Sequence, residues 1–320
     1  MNTLVKDTAE NAARARTRIT DYIFATPLLP SQQLGNELDC DLRFKAENFQ
    51  HTGSFKMRGA ASKMTSITGD MGLITASSGN HGIACSRAAS LIGKNLTVVL
   101  PETVAKAKLA KIQSFGVDVI LHGQESGQAE LHAQTLAASR GMTYVSPYND
   151  PVVIAGQSTI GLELLEQADK IDNIFISMGG GGLISGIGAV LKNANPDTRV
   201  FGVSAKNSAA LAASMRAGEV VETDHFDTLA DGVAGGVDVD SVTLPLALQV
   251  IDEVLICDET EIASALRAMA QKEHQLVEGA AALALAGLCQ VSERLRGKTN
   301  VVLLCGANFD PDKVMPLIKV

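Results

Sequence analysis

The feature that most constrains this chain is a regular alternation of short apolar runs with segments of helical length. Gly72-Leu73-Ile74-Thr75-Ala76, Leu96-Thr97-Val98-Val99-Leu100 and Val117-Asp118-Val119-Ile120-Leu121 are too far apart for hairpins. Such runs read as strands joined by helices, hence as a parallel α/β sheet. The intervening helices are expected from near Thr103 to Gly116 and from about Gln128 to Gly141, both ending on a glycine able to adopt the left-handed stop conformation. The second half repeats the scheme with Ile174–Met178, Val200–Val203, Val254–Cys257 and Val301–Cys305. Two prolines and turn residues in Ser146-Pro147-Tyr148-Asn149-Asp150-Pro151 mark the expected seam. No repeat, low-complexity stretch or disordered linker interrupts the pattern.

A chain of 320 residues with 46% hydrophobic composition can bury a large core, and two lobes with a cleft are expected. The net charge of -8, without a long basic run, argues against nucleic acid and for a small-molecule partner. Five scattered cysteines without Cys-x-x-Cys spacing suggest neither a disulfide framework nor a zinc site and fit a reducing cytoplasm. The N-terminal segment mixes Arg14, Arg16 and Arg18 with Asp7 and Glu10, and reads as a short surface helix, not a targeting signal. The most apolar stretch, Ala280–Leu288, is too short for a membrane span.

Lys56 stands in Thr52-Gly53-Ser54-Phe55-Lys56-Met57-Arg58-Gly59-Ala60. Lysine can form a Schiff base with a carbonyl when its surroundings free the amine, but a lone lysine proves nothing. Downstream, Met178 is followed by Gly179-Gly180-Gly181-Gly182 and Leu183-Ile184-Ser185-Gly186. A strand-to-helix junction of this kind presents free N–H groups to an anion; the bland alternative is a flexible turn. A dinucleotide site is disfavoured, because Ser185 replaces the third glycine of Gly-x-Gly-x-x-Gly and Ser204-Ala205-Lys206 lacks an acidic ribose ligand. Ser77-Ser78-Gly79-Asn80-His81-Gly82 opens another helix, either as carboxylate-binding backbone or as an ordinary serine cap. No Gly-x-Ser-x-Gly elbow points to a hydrolase serine. Cys305-Gly306-Ala307-Asn308 ends the last apolar run, where a cysteine is either inert packing or a neutral partner for a ring nitrogen.

Together these four motifs, from Thr26-Pro27-Leu28 to Phe309, resemble the pyridoxal-phosphate enzymes of the serine/threonine dehydratase and serine racemase family. The resemblance implies the two-domain tryptophan-synthase-β-like α/β fold (fold type II), with parallel-rich sheets flanked by helices. Residues 1–65 and 146–320 would form the large cofactor-binding domain and 66–145 the small substrate-side domain. It also implies a homodimer.

By that resemblance Lys56 would bind the cofactor and then remove the substrate Cα proton. Phe55 would pack on the pyridine ring and Asn80 would hydrogen-bond its phenolic oxygen. Gly179, Gly180, Gly181, Gly182 and Leu183 would hold the phosphate. Cys305 would face the ring nitrogen, where a thiol makes the ring a weaker electron sink than a carboxylate would, favouring elimination over transamination. Ser77, Ser78, Asn80 and His81 would surround the substrate carboxylate. Asp231-Gly232-Val233 resembles a substrate-side stretch and Glu278-Gly279 a position near the cofactor; a loop carboxylate is the alternative for Asp231. The implied reaction converts a β-hydroxy amino acid such as L-threonine or L-serine to a 2-oxo acid and ammonia, with the cofactor phosphate as proton donor to the leaving hydroxyl.

Ser78 stands where racemases of the family carry a serine, so a serine racemase with dehydratase side activity is the alternative. Another is a dehydratase for an unusual hydroxylated amino acid, hydroxyaspartate or hydroxyectoine-derived. An oxidoreductase and a non-catalytic sensor are the rivals from other classes. Ser204 and Ala210 occupy the positions of the carboxylates that hold a divalent cation in some members, so no metal site is expected. Glu125-Ser126-Gly127-Gln128 replaces the region that often carries an arginine for a second substrate carboxylate, which speaks against hydroxyaspartate. Arg58 reads first as half of a structural ion pair, with a place close to the site as the alternative. The end at Val320 leaves no room for regulatory domains, and feedback inhibition is not expected.

Overall fold

The computed structural model describes residues 3–319. Among the described residues ten strands follow one another: β1 Leu28–Pro30, β2 Asp41–Ala46, β3 Leu73–Ala76, β4 Leu96–Leu100, β5 Asp118–Leu121, β6 Thr143–Tyr144, β7 Asn173–Ser177, β8 Arg199–Ala205, β9 Glu253–Cys257 and β10 Thr299–Leu304. They form a six-stranded sheet, β1-β2-β10-β7-β8-β9, and a four-stranded sheet, β5-β4-β3-β6. Every pairing is parallel except β1 with β2, at the edge.

Of the central strands, β7 is buried from end to end and β10 from Asn300 on, because helices cover both faces, as parallel sheets require. Phe175 of β7 stacks on Phe201 of β8 with ring centroids 4.5 Å apart. The helix Gly279–Val291 is almost wholly buried, and its glycines and alanines let it lie close on the sheet: a Cβ at Gly287 would come within 2.5 Å of Val203. Polar residues set where helices begin. Asp150 accepts from the N–H groups of Val152 and Val153 ahead of Pro151, and Asp258 with Glu261 forms a capping box.

Several expectations need adjusting. The N-terminal helix is not a short surface element: it runs over Thr3–Ile19 and buries Val5, Ala12, Ala15 and Ile19. The helix expected from Thr103 begins only at Lys106, because Pro101–Val104 forms a turn first, and it ends at Gln113, short of Gly116. The next helix, Ser126–Arg140, stops at Gly141 with φ 63°, as the glycine signal predicts. Strands β1, β2 and β6 were not anticipated. In β2 the polar residues Arg43 and Lys45 mask the apolar run, although Lys45 is fully buried.

Candidate active site

Three strands deliver chain to one place with their carboxyl ends, the usual location of sites in open parallel sheets. β3 leads through Ser77, Ser78 and Gly79 into the helix Asn80–Ile92; β7 leads through the four glycines into the helix Gly182–Ala194; β10 ends at Cys305. Lys56 opens the helix Lys56–Ser66. Its turn is fastened to the end of β10, since Phe55 N–H donates to Cys305 O (3.1 Å) and Ala307 N–H to Gly53 O (2.9 Å).

The result is a cavity of about 700 Å³ between the two sheets' loops. Every candidate residue lines it: Phe55, Lys56, Ser77, Ser78, Asn80, His81, Gly179, Gly180, Gly181, Gly182, Leu183 and Cys305. So do residues the motifs did not single out, among them Tyr148, Glu130 and Asp238.

Lys56 lies deep in the protein while its amine touches the cavity. Nζ donates to Pro147 O (2.8 Å) and sits 5.2 Å from the centre of the Phe55 ring. Burial penalises the cation and lowers the pKa to about 8, against the weaker opposing pull of Cys85, Cys305 and Glu278. A usable fraction of neutral amine is therefore present near neutrality.

Glu278 forms the polar hub of the opposite wall and was underrated by its sequence context. Its buried carboxyl accepts from Asn80 Nδ2 (2.9 and 3.0 Å to the two oxygens), from Asn308 N–H (3.1 Å) and from the Cys305 thiol (3.7 Å). Burial raises it to about 7, with the Asn80 and Asn308 bonds pulling the other way. Burial, helped by the neighbouring Glu278, also pushes Cys305 well up, so its thiol stays neutral. Asn80 Oδ1 accepts from Asn308 Nδ2 (2.7 Å), so its amide is oriented from both ends.

The His81 ring is tied to Val145 O (2.9 Å), and burial lowers it to about 3. It stays neutral, and what it offers the cavity is a fixed wall next to the first turn of its helix. Ser77 Oγ accepts from Gly79 N–H (3.2 Å), whereas the Ser78 hydroxyl has no protein partner among the described residues. Arg58 lies outside the cavity, paired with Glu47 and Glu163 as expected of a structural residue. Ser204 is buried with its hydroxyl 3.5 Å from Met178 O, and Ala210 is packed in the core.

The glycine loop has the properties of an anion cradle. Among the described residues, the N–H groups of Gly179, Gly180 and Gly181 find no acceptor in the protein, and they precede a helix of 13 residues. Side chains are excluded here by contact: a Cβ on Gly180 would lie 2.5 Å from the Tyr148 ring, and one on Gly181, at φ 88°, 2.7 Å from Leu211. Thr243 holds the loop by donating to Gly180 O (2.6 Å). A cradle with open donors, a lysine of lowered pKa and a neutral thiol on one cavity suit an aldehyde carrying a phosphate and a ring nitrogen.

The family model for pyridoxal-phosphate dependent enzymes matches residues 19–306. The chain belongs to this family. The catabolic L-threonine dehydratase TdcB of Escherichia coli (strain K12) is 33% identical over 313 residues, 95% of this chain and 94% of that protein. Among solved structures, the processed form of threonine deaminase isoform 2 from Solanum lycopersicum superposes with a TM-score of 0.94 at 29% identity, over 99% of this chain and 88% of the other. Serine racemase from Dictyostelium discoideum gives 0.87 at 32% identity, over 94% and 98%. The α/β architecture with two mostly parallel sheets is thus that of the family, and the cofactor expected from the motifs, pyridoxal phosphate, is the family's.

Proposed function

We propose that this pyridoxal-phosphate-dependent enzyme is an ammonia-lyase that dehydrates a β-hydroxy amino acid of the threonine and serine type to a 2-oxo acid and ammonia. The observation that carries the reading is Lys56: a deep amine with no carboxylate partner, drawn to about 8, on one cavity with open glycine donors and a neutral thiol. The likeness to a threonine dehydratase and a threonine deaminase over nearly the whole chain supports the same reaction.

In this reading Gly179–Gly182 and Leu183 would hold the cofactor phosphate through N–H groups, Phe55 would pack on the ring, Asn80 would meet the phenolic oxygen and Cys305 the ring nitrogen. Bound pyridoxal phosphate supplies a conjugated system that takes up the electron pair released from Cα. The Lys56 amine removes the Cα proton. The Cβ–O bond then breaks and the hydroxide leaves as water, the proton that Lys56 took from Cα balancing the one it carries away; the released enamine takes up one water to give 2-oxo acid and ammonium. Cys305 stays protonated and cannot add charge to the ring nitrogen, which favours loss of the β-substituent over return of a proton. Ser77, Ser78, Asn80 and His81 bound the space for the substrate carboxylate.

A second reading, amino-acid racemisation, rests on the free Ser78 hydroxyl in the same cavity. A serine hydroxyl is a weak acid and needs neighbours to exchange protons. We further take residues 1–65 and 146–320 as one domain and 66–145 as the other, since the six-stranded sheet draws its strands from 28–46 and 173–304 and the four-stranded sheet from 73–144. A cytoplasmic homodimer is the assembly we propose; no helix among the described residues is long and apolar enough to cross a membrane.

The test is a coupled assay on the cofactor-loaded enzyme with L- and D-serine, threonine and the hydroxyaspartate isomers, while chiral chromatography follows the remaining substrate. Release of 2-oxo acid, abolished in Lys56→Ala, is the expected result. Inversion without 2-oxo acid, lost in Ser78→Ala, overturns the lyase in favour of the racemase.

A further inference from the structure

Part of the cavity lining comes from elements that the mechanism above does not use. Glu130 lines it from the helix Ser126–Arg140 and Asp238 from the loop that precedes the helix Thr243–Val250, and Asp231 lines the same cavity. Tyr144 OH donates to Glu130 Oε1 (2.8 Å), which fixes the carboxylate, and the other oxygen, Oε2, has no protein partner among the described residues. Asp238 is placed by its backbone, whose N–H donates to Tyr148 OH (2.9 Å). Tyr148 in turn packs on Gly180 and Gly182. The loop carrying Asp238 is therefore anchored to the glycine loop through Tyr148, and the Glu130 carboxylate is held by Tyr144.

The charges do not balance. Setting aside Lys56 and Glu278, three carboxylates (Glu130, Asp231, Asp238) line the cavity against one ammonium, the exposed Lys108. None of the three is in an ion pair among the described residues. Burial holds the Glu130 carboxyl above its ordinary range, with the Tyr144 bond opposing and Asp238 adding to the rise. An unpaired, half-buried carboxylate facing a second one is costly unless a cation arrives with the ligand. A substrate ending in a carboxylate meets repulsion there, and a methyl group leaves the wall unsatisfied.

We propose that Glu130 is a specificity-determining residue of the reaction proposed above, selecting β-hydroxy amino acids that carry a protonated amine beyond Cβ. Asp238 completes the acceptor pair, and Tyr144 and Tyr148 position the two. The class is a hydroxylated diamino acid, smaller than about 700 Å³ together with the cofactor. This rests on the lyase reading for its chemistry but not for its recognition, so the two separate in experiment.

The cofactor-loaded enzyme is given threonine, 2,4-diamino-3-hydroxybutanoate and hydroxyaspartate. Binding is read from the change in cofactor absorbance, turnover from 2-oxo acid. The expected order of kcat/KM is amine over methyl by about tenfold or more, with the carboxylate last, about 1.4 kcal/mol or more per step. Glu130→Gln should lower the amine-to-methyl ratio about tenfold, and Glu130→Lys should move the preference to hydroxyaspartate. The ratio is unaffected by a general loss of folded enzyme. Tighter binding of the amine without any 2-oxo acid upholds the role of Glu130 and sinks the lyase. Turnover of threonine at least as efficient as of the amine, or equal losses on all three substrates in Glu130→Gln, overturns the role of Glu130.

Discussion

The protein buries two lysines of β2 and the neighbouring helix in opposite ways. Lys45 is fully buried among partners: Nζ donates to Glu163 (2.5 Å), to Thr26 O (2.7 Å) and to Gln167 (3.0 Å). Glu163 also bridges to Arg58 Nη1 (2.6 Å), whose other side meets Glu47 (2.8 Å). Burial works against the Arg58 cation, but the two carboxylates outweigh it and its pKa is raised. Lys56, eleven positions on from Lys45 in the sequence, has one carbonyl and a cavity. Both amines are lowered by burial, yet only Lys56 lacks a hydrogen-bonded carboxylate to hold its proton. Paired burial fixes the helices that carry Arg58 and Glu163 to β2; unpaired burial leaves a reactive amine.

Removing the bridge is the harshest way to break this comparison. Glu163→Ala leaves two buried cations sharing Glu47 and neutral partners, and should cost about 3–5 kcal/mol in urea unfolding, because an uncompensated buried charge remains. A loss below about 1 kcal/mol would mean that water reaches the cluster and that its pairing is not what distinguishes it.

The opposite sign is expected at Lys56. Its pKa is lower in the folded protein than in the unfolded chain, so the folded state is penalised while the amine is protonated. The penalty is present below about 8 and fades as pH rises towards 10.5. Lys56→Met should therefore stabilise the cofactor-free protein by about 2 kcal/mol at pH 7, allowing for screening by cavity water, and by under about 1 kcal/mol at pH 9.5. The same variant loses the visible absorbance of lysine-bound cofactor. Destabilisation that does not vary with pH would place Lys56 with Lys45, as packing.

How much of this was legible depends on whether a contact lies along the chain or across it. The strands β3, β4, β5 and β7 to β10 carry their signal in consecutive apolar residues, and the turns after β3, β7 and β10 hold the glycines and small residues that mark the cavity. Arg58 was readable as a structural residue, but its partners Glu47 and Glu163 were not, since they come from separate elements. β2 hid behind Arg43 and Lys45 because the pairing that makes Lys45 buriable is tertiary. Glu130 and Asp238 come from elements far apart in the sequence and share only the lining of one cavity. Glu278 stood out only through the resemblance, as a position near the cofactor; its importance comes from three donors that the fold brings to it, from Asn80, Asn308 and Cys305.

That hub gives the smallest and most discriminating test. Glu278 sits between the two extremes: buried like the Lys45 cluster, but held by neutral donors and one thiol instead of a cation, and raised to about 7. As a carboxylate it accepts from all three donors; once protonated it must turn a hydrogen towards one of them and release it. If Glu278 positions Asn80 and the thiol, kcat/KM should climb with pH through about 7. Glu278→Gln should flatten that rise and lower the plateau about tenfold, near 1.4 kcal/mol. Folding supplies an independent check. A carboxyl raised in the folded state stabilises fully below about 4.5, and that contribution is lost as pH rises through about 7, so the variant's unfolding should depend less on pH across that window. A changed unfolding profile with an unchanged pH-rate profile would make Glu278 a buried acid of the Lys45 kind, structural and nothing more, and the acid limb would have to arise elsewhere in the cavity.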